Sequence, residues 1–116
     1  MGDGTVEKED MNLSQLQREV GVWARRNFPK EKPYQPLLGI GEETGELMHA
    51  HLKMEQKIRG KAEEHQEAKE DAVGDILIFL AHYCELNDIN LSWAVEKTWR
   101  EVKQRDWRKH KRTGKK

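Results

Sequence analysis

Two short acidic clusters hold the side chains of this sequence that are best suited to chemistry. They are Gly41-Glu42-Glu43-Thr44-Gly45-Glu46-Leu47 and Glu70-Asp71-Ala72-Val73-Gly74-Asp75. If each cluster is helical, residues three or four positions apart share a face, so Glu43 stands beside Glu46 and Asp71 stands beside Asp75. Like charges at that spacing destabilise a helix unless a cation neutralises them, and carboxylate oxygens are the ligands that Mg²⁺ prefers. The clusters therefore indicate a site for a divalent cation.

The alternative is that these acids form a solvated surface, since 36% of the residues are Asp, Glu, Lys or Arg. Helical periodicity favours the metal site. In the second cluster, Asp75 lies within about 60° around the helix of both Ala72 and Phe79, which belong to an apolar stripe. In the first cluster, Glu43 and Glu46 flank a similar stripe. Each acidic group is therefore expected at the edge of a buried seam, where charges are paired or bind metals.

Length and composition predict one small domain. The chain has 116 residues, of which 35% are hydrophobic, so its core is modest and oligomerisation is expected to bury more surface. No apolar run approaches the roughly 20 residues that span a bilayer, and no signal-peptide pattern opens the chain. We therefore expect a cytoplasmic protein that does not bind a membrane. Cys84 is the only cysteine, and its apolar surroundings predict a buried structural thiol.

Periodicity and capping signals predict four helices and no strand. The helices are expected from about Asn12 to Phe28, from about Pro36 to Ile58, from about Glu67 to Leu86, and from a cap at Asn90 or Ser92 onwards. The predicted fold is all-α, an antiparallel four-helix bundle-like chain that is completed by oligomerisation. Residues 1–11 are expected to be a flexible lead-in, residues 12–107 the helical domain, and residues 108–116 a basic tail.

Three glycines inside the predicted helices are unusual. Gly41, Gly45 and Gly74 all lie in the acidic clusters, although glycine in a helix interior costs about 1 kcal/mol relative to alanine. Either the close approach of another helix or room for a ligand beside the backbone would explain them.

The two clusters together resemble the motif of the MazG-like all-α nucleoside triphosphate pyrophosphohydrolases. That family carries Glu-Glu-x-x-Glu on one helix and Glu-x-x-Asp on the next, ahead of an apolar run. Residues 42–46 match the first element, and residues 74–77 match the end of the second. The resemblance extends over about residues 13–107. It implies an enzyme that depends on Mg²⁺, with Mn²⁺ as a substitute, and that cleaves an NTP or dNTP to NMP and pyrophosphate in a nucleotide-pool house-cleaning role.

The resemblance also assigns roles to individual acidic residues. The implied metal ligands are Glu43, Glu46 and Asp75, and the implied catalytic residues are Glu42 and Glu43. Glu42 is either a further ligand or the residue that orients the attacking water.

The chain departs from the family pattern at one position. The pattern expects Glu three residues before Asp75, where this sequence has Ala72. Asp71 is the expected substitute as a metal ligand, because positions i and i+4 also share a helix face. Glu70, five residues before Asp75, is expected to point elsewhere.

Cationic side chains are needed to hold a triphosphate. Lys53 lies seven residues beyond Glu46 and on the same side of the second helix. Lys103 and Arg105 lie near the end of the fourth helix, where the family places basic residues. Ordinary solvated surface charge is an equal alternative for all three.

Other functions remain open from the sequence. A phosphoribosyl-ATP pyrophosphatase-like enzyme would use the same motifs, and a non-catalytic helical adaptor would bind protein or nucleic acid through the acidic seam and basic tail. A di-iron site is a further alternative, because Glu46-Leu47-Met48-His49 matches one half of the Glu-x-x-His signature, and a homodimer would supply the second half. If there is no such site, His49 is expected at a surface rim. His82 is expected in the core. Nucleic acid is not the expected partner, because the tail has no aromatic residue beyond Trp107.

The resemblance implies a nucleotide substrate and a homodimer or homotetramer. Its interface is expected on apolar residues of the second and third helices, with at least one tryptophan. Neighbouring subunits of such proteins complete the nucleotide pocket.

Overall fold

The computed structural model describes residues 10–57, 60–106 and 108, and this part of the chain forms four α-helices and no strand. The helices are α1 (Leu13–Asn27), α2 (Gln35–Gln56), α3 (Ala62–Leu86) and α4 (Leu91–Val102). The prediction of an all-α chain is therefore confirmed. Within the described residues, no helix combines the length and the apolar character needed to cross a membrane. The predicted lead-in, except residues 10 and 11, and the tail beyond residue 108 lie outside this part of the chain.

Side-chain caps fix the start of two helices where the sequence predicts them. The Asn12 Oδ1 atom accepts a hydrogen bond from the Gln15 amide at 2.8 Å, and the Asn90 Oδ1 atom accepts one from the Trp93 amide at 2.9 Å. Each bond satisfies an amide that has no partner inside the helix. The Gln15 side chain donates to Glu19 instead of returning to the cap, so only half of the expected capping box forms.

Helix α3 begins five residues earlier than predicted. The third helix is predicted to start near Glu67, but α3 starts at Ala62. Glu63 and Glu64 occupy its first turn. Acidic side chains are favourable there because the helix N-terminus carries a partial positive charge. The connection from α2 instead turns at Lys57, which has φ 56°, and at Gly60, which has φ 119°.

Helices α2 and α3 make the most extensive contact in the chain, α1 packs against α3, and α4 packs against α1. The buried cluster between α1, α3 and α4 contains Val20, Ala81, Cys84 and Leu91. The Gln17 side chain of α1 links this helix to the start of α4. It donates a hydrogen bond to the Ile89 carbonyl at 2.7 Å and accepts one from the Leu91 amide at 2.8 Å.

Two glycines allow neighbouring helices to approach α3 closely. A Cβ atom at Gly39 of α2 would lie 2.5 Å from ring carbons of Phe79, and a Cβ atom at Gly21 of α1 would overlap the Glu85 carboxylate. Glu85 accepts a hydrogen bond from Gln17 at 3.0 Å, so the second approach also forms a polar link between α1 and α3. A Cβ atom at Gly39 would require the Phe79 ring to move, whereas at Gly21 only the flexible end of the Glu85 side chain would have to shift.

The glycines of the acidic clusters have a different environment. Among the described residues outside their own helical backbone, no atom lies within 4 Å of a Cβ atom built on Gly41, Gly45 or Gly74. Close approach of another helix of the same chain, one of the two explanations offered by the sequence, is therefore wrong. The space beside these glycines is open.

The contact between Gly39 and Phe79 predicts an effect on stability. Gly39→Ala is expected to lower the free energy of unfolding by about 1–3 kcal/mol, because the new methyl group overlaps a packed ring. Gly74→Ala is the matched control and is expected to raise it by up to about 1 kcal/mol through helix propensity alone. Urea denaturation measures both. Adding Phe79→Leu should remove most of the penalty of Gly39→Ala, and purely additive effects would contradict the contact.

Candidate functional site

A cleft with a volume of about 510 Å³ lies between α2 and α3. It is lined by all five acidic residues that the sequence singled out, namely Glu42, Glu43 and Glu46 of α2, and Asp71 and Asp75 of α3. The other lining residues are His49, Ala50, Lys53, His65, Ala68 and Ala72. The structure thus gathers two acidic clusters that are about 30 residues apart in the chain into one concave surface.

Local helical periodicity explains why each helix presents its acids together. Glu42, Glu43 and Glu46 span positions i, i+1 and i+4 of α2, and Asp71 and Asp75 span positions i and i+4 of α3, so each set lies on one helix face. The pairing of α2 with α3 then turns these two faces towards a common space.

The carboxyl group of Glu43 shows the electrostatic consequence of this pairing. Partial burial raises its pKa above the ordinary value of 4.5, and the negative charges of Asp75, Glu42 and Glu46 raise it further. The contribution of Asp75 crosses from one helix to the other, which shows that the two clusters act on each other. Such a group favours either a proton or a cation beside it.

The neighbouring residues Glu70 and Asp71, at the start of the second cluster, have different surroundings. Asp71 lines the cleft, whereas the Glu70 carboxylate accepts a hydrogen bond from the Gln66 amide group at 3.2 Å on the surface of α3. Ala72 also lines the cleft and is only 4% exposed. A glutamate at position 72 would therefore bring a carboxylate into the same space, and Asp71 is the acid of this chain that reaches it.

The donor set of the cleft suits Mg²⁺, because all five acids offer hard oxygen ligands. Among the described residues, no three His, Cys, Asp or Glu side chains are arranged so that they would hold a metal ion between them. Mg²⁺ is commonly bound through one or two carboxylates together with waters and substrate phosphates, and it does not require a cage built from protein alone. The residues present therefore fit an ion that binds together with a phosphate-bearing ligand.

Of the three predicted phosphate-binding cations, the cleft contains one. Lys53 lines it, but Lys103 and Arg105 do not. Both follow α4, which packs against α1. His49 lies in the lining and is exposed, as expected for a rim residue.

Sequence reasoning missed His65, which is only 9% exposed and lines the cleft. It lies before the predicted start of the third helix near Glu67. The signal that would have found it is its spacing of seven residues from Ala72, which places both on one side of a helix that begins earlier.

Two other titratable groups lie in the core, away from the cleft. Cys84 is 3% exposed, and burial followed by the charge of Glu85 raises the pKa of its thiol. His82 is 6% exposed, and its ring stacks on Phe28 with a centroid separation of 6.5 Å. The predictions that Cys84 is buried and that His82 lies in the core are confirmed.

The raised pKa of Glu43 predicts a pH-dependent change in stability. The folded protein holds the Glu43 proton more tightly than the unfolded chain does, so ionisation of Glu43 costs stability as the pH rises above 4.5. In metal-free buffer, Glu43→Gln is therefore expected to raise the free energy of unfolding at pH 7 and to give no gain below pH 4.5. Urea denaturation across this range measures the difference. Glu67→Gln, on α3 outside the cleft, is the control, and a loss of stability at pH 7 in Glu43→Gln would contradict the repulsion.

Comparison of the chain with protein-family models, with curated protein sequences and with solved structures finds no match. The function is therefore inferred from the residues of the cleft and from the motif that they form.

Proposed function

We propose that this protein is a Mg²⁺-dependent nucleotide pyrophosphohydrolase that cleaves an NTP or dNTP to NMP and pyrophosphate. The observation that carries the proposal is the cleft between α2 and α3, into which two paired helices bring five carboxylates with one lysine. The motif spacing of the two clusters, which resembles that of the MazG-like enzymes, supports the same reaction. A role in keeping the nucleotide pool clean follows from that resemblance.

The chemistry of the reaction matches the residues of the cleft. Hydrolysis of a phosphoanhydride requires neutralised phosphate charge and a positioned, deprotonated water. Glu43, Glu46 and Asp75, with Asp71, would hold Mg²⁺, which neutralises phosphate charge and lowers the pKa of a bound water. Glu42, which also lines the cleft, would orient the attacking water.

Glu43 is suited to accept a proton. Its raised pKa lies closer to neutral pH than that of an ordinary glutamate, which is the condition for an effective general base. We therefore assign proton acceptance to Glu43 when it is not neutralised by the cation. Lys53 would stabilise the negative charge of the phosphates.

Substitutions within the cleft test this function. Glu43→Gln, Glu46→Gln and Asp75→Asn are each expected to lower kcat/KM for nucleotide hydrolysis by at least about 100-fold, while circular dichroism shows an unchanged helix content. Asp71→Asn is expected to resemble Asp75→Asn. The matched control is Glu70→Gln, which removes a carboxylate outside the cleft and should leave activity near normal. Release of pyrophosphate from a panel of NTPs and dNTPs is the measurement.

Two outcomes would redirect the proposal. Near-normal turnover in the cleft variants would show that the reaction occurs elsewhere. Absence of hydrolysis, with no change of Tm in millimolar Mg²⁺ and a nonhydrolysable triphosphate, would favour the helical adaptor instead. A bound ligand must raise Tm by linkage, whereas an adaptor has no reason to respond.

We also propose that the active form is a homodimer or homotetramer, because large apolar side chains remain uncovered in the single chain. One exposed stripe runs along α2 on the side away from the cleft, and it contains Leu38, Gly41, Gly45, Met48 and Leu52. Its two glycines are four residues apart and open to space, so a second helix has room to approach. Such a stripe would match the predicted interface on α2.

Helix α4 leaves a second apolar surface uncovered. A groove of about 490 Å³ runs along its apolar face and includes Leu80 of α3, Val95 and Trp99. Val95 is 46% exposed and Trp99 is 56% exposed. Tryptophan is enriched in subunit contacts, so this groove would supply the tryptophan expected at the interface. Trp107 lies outside the described residues.

The oligomer is tested by sedimentation equilibrium at micromolar concentration. The expected mass is a multiple of the 13.6 kDa chain, and Met48→Glu is expected to shift it towards the monomer by burying a charge in the interface. Met11→Glu, which charges an equally apolar exposed residue outside the helices, is the control. A monomer with full activity would remove both the shared interface and any pocket completed by a partner.

A further inference from the structure

The cleft between α2 and α3 has two chemically different ends. Its five carboxylates lie towards the start of α2, whereas Lys53, His49 and His65 lie towards the connection between the two helices. Glu43 and Lys53 are ten residues apart on α2, and Asp75 and His65 are ten residues apart on α3. At a rise of 1.5 Å per residue, each pair is separated by about 15 Å along its helix. The cleft is therefore acidic at one end, and basic or neutral with hydrogen-bond donors at the other.

His65 is the most informative residue of the second end. It is the most buried polar side chain among the residues that line the cleft. The backbone of Gly60 supports it, since a Cβ atom there would lie 3.6 Å from the Cε1 and Nε2 atoms of the ring. The φ of 119° at Gly60 is a conformation that side chains rarely adopt. The His65 ring therefore lies beside a backbone position, Gly60, whose conformation favours glycine.

Lys53 and His49 complete this end. Lys53 is half-buried, and it forms no ion pair with any carboxylate of the described residues. A partly buried ammonium group without an anion is an available binding partner for one. His49 lies on the same side of α2, one turn before Lys53, and offers a further ring nitrogen.

Small side chains join the two ends. Ala50, Ala68 and Ala72 line the cleft between its charged and polar side chains, and Ala50 and Ala72 are buried. Longer side chains at these positions would fill the space between the ends. The cleft is therefore a continuous trough with room for an extended group.

We propose that the histidine and lysine end binds the outer phosphates of the substrate, so that the leaving pyrophosphate points towards the connection between α2 and α3. This inference rests on the proposed function and adds the direction in which the substrate lies. Mg²⁺ held by the carboxylates would contact the phosphates beside the bond to be cleaved, whereas Lys53, His49 and His65 would attract the phosphates beyond it or donate hydrogen bonds to them. The bond to be cleaved then lies at the carboxylate end, and the nucleoside lies beyond it.

Binding of inorganic pyrophosphate in the presence of Mg²⁺ tests this direction by isothermal titration calorimetry. His65→Gln, His49→Gln and Lys53→Gln are each expected to raise the Kd for pyrophosphate about tenfold and to raise KM for the triphosphate similarly. The affinity for NMP is expected to stay unchanged. His51→Gln is the matched control, because His51 is on the same helix but is exposed beside Glu55 outside the cleft.

The outcomes separate this inference from the proposed function. If the protein hydrolyses nucleotides but His49→Gln and Lys53→Gln bind pyrophosphate as tightly as His51→Gln does, the direction is wrong and the function stands. If no nucleotide is hydrolysed but the cleft variants still lose pyrophosphate binding, the function falls and the anion-binding end stands. His49 is exposed, so its variant stays folded and keeps the test decisive if His65→Gln is unstable.

Discussion

Electrostatic repulsion between α2 and α3 is the constraint around which this small protein is organised. The pairing of these helices brings Asp75 close enough to raise the pKa of Glu43, and Glu42 and Glu46 on the same helix as Glu43 raise it further. The packing that holds the helices together must offset this cost. It does so through close contacts away from the acids, where Gly39 admits the ring of Phe79, and through buried alanines beneath the cleft. A cation bound between the helices would relieve the repulsion, so its binding would raise the stability of the protein.

The remaining helices support α3 from its other side by a mixture of apolar and polar contacts. Val20 and Leu91 pack in the buried cluster, and the Gln17 side chain links α1 to the segment that begins α4. The Glu85 carboxylate accepts hydrogen bonds from Gln17 and Arg25 beside the bare backbone of Gly21. The bond between Gln17 and Glu85 is partly buried, so it fixes the orientation of α1 on α3 more strongly than the exposed ion pair between Arg25 and Glu85 does. The position of the α3 face that lines the cleft depends on this support.

The chain covers only part of its apolar surface. Leu38 of α2, Trp23 of α1 and Trp99 of α4 are all more than half exposed, although large apolar residues of small soluble domains are mostly buried. Trp23 and Trp99 therefore contribute little to the core of the single chain. The exposure of these apolar residues is the physical reason to expect other copies of the chain on these surfaces, and Leu38 lies on one of the two helices that form the cleft.

The sequence by itself determined the helical class, the caps at Asn12 and Asn90, and the grouping of the acids, because the 3.6-residue period and capping chemistry act over a few residues. It also distinguished Asp71, which was expected to face the site, from Glu70, because adjacent residues of a helix point about 100° apart around its axis. Only the tertiary structure decided that the two acidic faces meet, that His65 joins them and that Lys103 does not. Those outcomes depend on which helices approach closely, and contacts between residues far apart in the chain leave no signal in local periodicity.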